Sequence, residues 1–128
     1  MRVYTQCLLG LLLSVCSANA QEVHGVTEKE IKIGQSMPYS GPGSHYSTIA
    51  RANEAYFRMV NENGGVNGRK ITLISLDDAY SPPKTVEQTR RLVEQEDVLL
   101  IFDTLGTATS AAIQKYLNIK KVPHLFPT

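Results

Sequence analysis

The sequence has no tryptophan and only two cysteines, Cys7 and Cys16, both in its opening segment. From residue 21 onward there is no thiol to form a disulfide, attack a substrate or hold a metal. An excess of charge of one sign is missing too. Thirteen Lys and Arg face 12 Asp and Glu, and one of the thirteen, Arg2, stands at the very start. Without a basic excess the chain has no electrostatic footprint for nucleic acid or an anionic membrane surface. After Val15 no apolar run approaches the roughly 20 residues that cross a bilayer.

What the chain has, first, is an export signal. Met1-Arg2 precedes an apolar run from Cys7 to Val15, and Ala18-Asn19-Ala20 supplies the small-x-small pattern of a cleavage site. This describes a secretory signal peptide over residues 1–20, cut after Ala20, which directs the rest to the periplasm. A lipoprotein reading would acylate Cys16, but the bulky Val15 stands where such sites want a small side chain. Residues 21–30 are polar, with a mobile terminus expected as far as Thr27.

Residues 31–128 then alternate strand and helix. The apolar residues of Ile31–Met37 make a first strand, ended by two prolines and two glycines between Pro38 and Gly43. Ser44 or Ser47 is placed to cap a helix whose apolar stripe is Ile49, Ala52, Tyr56, Phe57 and Val60. The glycine-rich stretch Asn63–Gly68 ends it. Lys70–Leu76 is a second strand, closed by Asp77-Asp78. Ser81-Pro82-Pro83 opens a second helix carried by Val86, Leu92 and Val93. Val98–Phe102 is a continuous apolar run, as a strand covered on both faces requires. A third helix follows through Ala112, Ile113, Tyr116 and Leu117, then a fourth strand over Val122–Phe126. Right-handed crossovers make such strands parallel, with helices on both faces. The turns at 38–46, 77–83 and 103–109, and the one Thr128 opens, then share one edge, where a ligand crevice belongs.

Several motifs on that edge invite chemistry and have a plainer reading beside it. Gly41-Pro42-Gly43-Ser44-His45-Tyr46 starts a dinucleotide fingerprint but has Tyr46 where the third glycine belongs, so its glycines serve backbone geometry. Asp77 and Asp78 are adjacent, leave a strand in opposite directions, and do not readily share a proton or an ion; capping the next helix and binding nearby amides is the better reading. His24, His45 and His124 have no metal-ligand spacing, and no G-x-S-x-G elbow accompanies the serines. The chain is read as neither an enzyme nor a cofactor protein. Thr107, Thr109 and Ser110 bring three hydroxyls to a helix amino end, where free N–H groups and the helix dipole favour a carboxylate. They serve equally well as ordinary N-caps, and both readings stand. Tyr46 offers a ring wall to the same ligand or half-buries in the core.

Taken in order, Val26–Gly34, Ser40-Gly41-Pro42, Asn63–Arg69, Asp77-Asp78 with Pro83, Thr85-Val86, Leu92-Val93, Leu105-Gly106-Thr107 and Val122-Pro123 resemble the leucine/isoleucine/valine-type solute-binding proteins of ABC importers. The resemblance implies two similar α/β lobes that trap a ligand between them, with 31–128 a partial N-terminal lobe. It implies an amino acid or related amide or carboxylate as ligand, an ABC permease in the membrane as partner, and no cofactor. It assigns the ligand's carboxylate end to Thr107, Thr109 and Thr128, with Tyr46 lining the pocket. Asp103 departs from the family, which commonly has glycine before this turn, and brings a negative charge near an anion site. The second lobe and the rest of the first are absent, so a truncated product is expected, with an exposed fourth strand and weak or no binding alone. The same lobes also serve as ligand sensors in receptors and amide-type regulators; an exported α/β hydrolase is the more remote alternative.

Overall fold

The computed structural model describes residues 23–128; the segment 1–20, expected to be a signal peptide, and both cysteines lie outside them. Four parallel strands, β1 (Glu30–Met37), β2 (Lys70–Asp77), β3 (Leu100–Phe102) and β4 (His124–Leu125), form one sheet in the order β2-β1-β3-β4. Helices α1 (Ser47–Glu62), α2 (Pro82–Glu94) and α3 (Thr107–Lys120) connect them, and a single 3-10 turn (Ser44–Tyr46) runs into α1. The expected alternation, parallel pairing and coverage of both faces are all present, and β4 is an edge strand.

The sheet divides its side chains between two layers because successive residues of a strand face opposite ways. On one face Ile74 and Ile101 pack with Leu92 of α2 and Ile113 and Leu117 of α3. Complete burial of a side chain such as Ile101 or Leu117 stabilises the fold by about 1.5–3 kcal/mol each. Gly34 of β1 belongs to this layer: a methyl there would lie 3.0 Å from Ile101 Cδ1 and 3.2 Å from Leu92 Cδ1, so its bareness lets α2 settle on the strand. On the other face Met37, Ala50 and Leu105 form a smaller cluster beneath α1.

Four expectations change. The α1 stripe is rotated: Ala50 is buried while Ala52 and Tyr56 are exposed, because Asn53 turns toward the sheet to bond Asp103. Neither Ser44 nor Ser47 caps α1, since the 3-10 turn already supplies its start. Ala112 is exposed on α3, while Thr85 and Thr89 of α2 are buried where hydrophobic residues would be expected. The chain from Val23 to Thr27 is anchored: Gly25 N–H and His24 Nδ1 both bond the Asp97 carboxylate, and Lys32 N–H reaches Gly25 O at 2.7 Å. Hydrogen bonding to His24 holds Asp97 below the usual carboxylate range.

Candidate functional site

At the carboxyl edge of the sheet the three strand-to-helix turns are built differently, and the turn into α3 opens with three consecutive N–H groups ahead of its first intrahelical bond. The turn from β1 into α1 is closed by the 3-10 geometry, with Tyr46 N–H on Gly43 O at 3.0 Å and Ser47 N–H on Ser44 O. Helix α2 begins with Pro82 and Pro83, which have no N–H to offer. Helix α3 begins at Thr107, and its first intrahelical donor is Ser110 N–H, on Gly106 O at 3.0 Å. The amides of Thr107, Ala108 and Thr109 precede that bond and aim their N–H groups at the edge, where the helix dipole is positive.

The paired aspartates hold the β2–α2 turn together. Asp77 accepts the amides of Tyr39 (2.9 Å), Ser40 (3.1 Å) and Ala79 (3.0 Å) and the Ser40 hydroxyl (2.5 Å). Burial pushes its carboxyl up, but the Ser40 hydroxyl and these amides outweigh that and keep it below the ordinary range. Asp78 is buried and accepts Ser36 Oγ (2.6 Å), Thr85 Oγ1 (3.0 Å) and Tyr80 N–H (2.9 Å). The two side chains diverge and act structurally: they fix Ala79 and Tyr80, both with positive φ (51° and 58°). Left-handed backbone is uncommon for such residues.

That turn aims Tyr80 across the edge. A methyl on Gly106 would sit 2.7 Å from Tyr80 Cε2, and one on Gly43 would sit 3.1 Å from Tyr80 Cβ. Tyr80 therefore packs the first and third turns together. Sequence reasoning did not single it out; the signal available was an aromatic residue in a turn on the functional edge, just after two aspartates.

The four residues assigned by resemblance are not equivalent. Thr107 and Thr128 line one groove of about 340 Å3, together with Gly106, Ser110 and His124. Thr128 is knit into the turn, its N–H on Thr104 O (3.0 Å) and its carbonyl taking Gly106 N–H (2.6 Å). Thr109 is 1% exposed and gives its hydroxyl to the Leu105 and Gly106 carbonyls, so it shapes the turn beneath the groove. Tyr46 is 47% exposed, stacks on His45 at 4.1 Å and stands on the first turn outside the groove. His124 Nε2 is buried without a hydrogen-bond partner, and burial lowers its pKa. A second concavity of about 390 Å3, at Val23–Thr27, Lys32 and Asp97, lies near the amino ends of the strands. No helix begins there, so it lacks the donors of the α3 turn. Among the described residues no group of His, Cys, Asp and Glu is arranged to hold a metal, and no helix is long and apolar enough to cross a membrane.

The family model described as periplasmic binding protein matches residues 30–128. The chain belongs to that family. Among curated relatives, the Leu/Ile/Val-binding protein homolog 7 of Brucella suis is 32% identical over 96 residues, 74% of this chain and 24% of that protein. Among solved structures, the fatty acid ABC transporter substrate-binding protein of Thermomonospora curvata superposes with a TM-score of 0.71 at 30% identity, covering 80% of this chain and 27% of the other. The branched-chain amino acid transporter substrate binding protein LivJ of Streptococcus pneumoniae, in complex with isoleucine, superposes with a TM-score of 0.70 at 25% identity, covering 75% of this chain and 28% of the other. This member of the periplasmic binding protein family thus spans about a quarter of the length of the relatives it matches. Its parallel sheet and helices are those of part of one lobe.

Proposed function

We propose that the chain supplies part of the ligand-binding face of an extracytoplasmic solute-binding protein, one that captures an amino acid or related small carboxylate for an ABC importer. The observation that carries the proposal is the open amino end of α3, where the N–H groups of Thr107, Ala108 and Thr109 precede the first intrahelical bond. A carboxylate seated there would take hydrogen bonds from Thr107 and its neighbours and border Thr128, while Tyr46, outside this groove, would line the wider crevice from the first turn. Thr109 acts by holding the turn. The kinds of solute named for its relatives, branched-chain amino acids and fatty acids, share a carboxylate and support this reading.

One open face binds weakly. Two or three charge-assisted hydrogen bonds contribute about 1.5–3 kcal/mol each, association costs roughly 4–15 kcal/mol, and micromolar affinity needs a net of about 8 kcal/mol. Titration of the isotope-labelled chain with L-leucine and with hexanoate, followed by amide NMR, tests the proposal. Millimolar-range shifts centred on Gly106, Thr107 and Thr128 are expected, and they should weaken in Thr107→Pro, which deletes a donor at a helix position that tolerates proline. Shifts confined to the Val23–Lys32 concavity, or none, would refute it.

A further inference from the structure

The loop between α1 and β2 holds two Asn-Gly pairs, Asn63-Gly64 and Asn67-Gly68. Asparagine followed by glycine is open to self-modification, because glycine has no Cβ to shield its backbone nitrogen from the neighbouring side-chain amide. Sequence alone ranks the two pairs alike. The fold treats them differently.

Asn63 is the C-cap of α1, and both reacting groups of its pair are engaged. Its side-chain Nδ2 donates to Met59 O at 2.8 Å, and Gly64 N–H donates to Asn61 O at 3.2 Å. Gly65 N–H on Val60 O at 2.9 Å continues the closure of the helix end. Asn67 and Gly68 instead form the tip of a two-residue hairpin. Val66 N–H donates to Arg69 O (2.8 Å) and Arg69 N–H returns the bond to Val66 O (3.0 Å), which closes the turn and leaves the Asn67 side chain and the Gly68 N–H outside both bonds. The φ angles of Asn67 and Gly68, 50° and 79°, are both positive, as in the type I′ turns that favour Asn-Gly. Apart from its chain neighbours, a methyl built on Gly68 would meet nothing within 4 Å, so packing does not hold this tip still. All four residues of the two pairs are exposed. Hydrogen bonding, not access, separates them.

We infer that Asn67 is a site of spontaneous deamidation and that Asn63 is protected from it. The Gly68 backbone nitrogen attacks Cγ of Asn67 and the new N–Cγ bond closes a succinimide ring. The Cγ–Nδ2 bond breaks, and Nδ2 leaves as ammonia with the proton that Gly68 N–H has given up. Water then opens the ring. Hydrolysis at Cγ gives aspartate; hydrolysis at the backbone carbonyl gives isoaspartate, in which the main chain runs through the former side chain. Either product adds one negative charge to a chain of formal net charge +1. The charge appears just before the amino end of β2, at the opposite end of that strand from the functional edge. The inference therefore stands apart from the proposed function.

Ageing the unaltered chain in mildly alkaline buffer, with and without guanidinium chloride, tests this by peptide mapping with mass spectrometry and isoaspartyl methyltransferase labelling. In native buffer Asn67 should convert at least about 5-fold faster than Asn63, because two hydrogen bonds of the weakest usual net strength must open before Asn63 reacts. In guanidinium chloride those bonds are gone, and the advantage of Asn67 should shrink as Asn63 accelerates. Comparable rates at the two sites in native buffer, or faster conversion of Asn63, overturn the inference. So does a ratio that denaturation leaves unchanged, since the difference would then belong to the local sequence. An Asn67 that stays intact in native buffer while the denatured chain converts overturns it as well.

Discussion

Replacing Gly106 by alanine tests whether the functional edge is locked as described. Gly106 has φ 96° and ψ 143°, a region that residues with a Cβ enter at a cost of about 1–3 kcal/mol. The added methyl would lie 2.7 Å from Tyr80 Cε2, 2.9 Å from its hydroxyl oxygen and 3.0 Å from Thr109 Oγ1. Crowding of this kind adds about 1–3 kcal/mol. Gly64 is the control: its φ is 97°, but nothing lies within 4 Å of a methyl built there. Gly64→Ala should therefore cost backbone strain alone, and Gly106→Ala about 1–3 kcal/mol more. Urea unfolding followed by circular dichroism reads the difference as a displaced midpoint at constant slope. If the chain is only marginally stable, Gly106→Ala is unfolded in water while Gly64→Ala keeps a transition. Tyr80→Ala in the Gly106→Ala background should recover part of the loss, since residues in contact couple by about 0.5–3 kcal/mol. Equal midpoints for the two alanine variants, or no rescue by Tyr80→Ala, would refute the account of Tyr80 as the residue that packs the turns together.

Two further outcomes follow from the same geometry. Asp78→Ala strands the Ser36 hydroxyl and the Tyr80 amide, while the Thr85 hydroxyl keeps the Ser81 carbonyl. It should cost at least about 1–3 kcal/mol for an orphaned buried group, whereas Asp77→Ala, at an exposed site, should cost less; a reversed order in urea midpoints would contradict the division of labour between them. Burial lowers the His124 pKa, so the unfolded chain binds the extra proton and stability rises with pH in that window. The contribution is complete above the unfolded value of about 6.5 and is lost as pH falls from there through the lowered folded value. His124→Gln should flatten this stretch of the profile, and an unchanged slope would remove His124 as its source.

Much of the fold was legible because it depends on local pattern. The apolar runs at 31–37, 70–76 and 98–102 and the proline and glycine clusters between them determine where strands end, and short right-handed crossovers then leave only a parallel sheet. The absence of thiols beyond Cys16 and the near-zero charge are likewise properties of the chain as written. The threonine-rich start of α3 was visible as a candidate anion site, and the divergence of Asp77 and Asp78 follows from strand geometry alone.

Only the folded molecule decided which candidates point where. Thr107 and Thr109 are two residues apart on one helix, yet one borders the groove and the other is buried with its hydroxyl turned back on the loop. Asn53 interrupts an apolar stripe in sequence and becomes the shortest amide contact of Asp103 in space, fifty residues away. Tyr80 gains its role from two turns that meet it across the edge. Periodicity reports which face a residue occupies on its own element, whereas donors, acceptors and ring contacts at the edge depend on how the elements are docked. Sheet order and helix rotation set that docking, through contacts between residues distant in the chain.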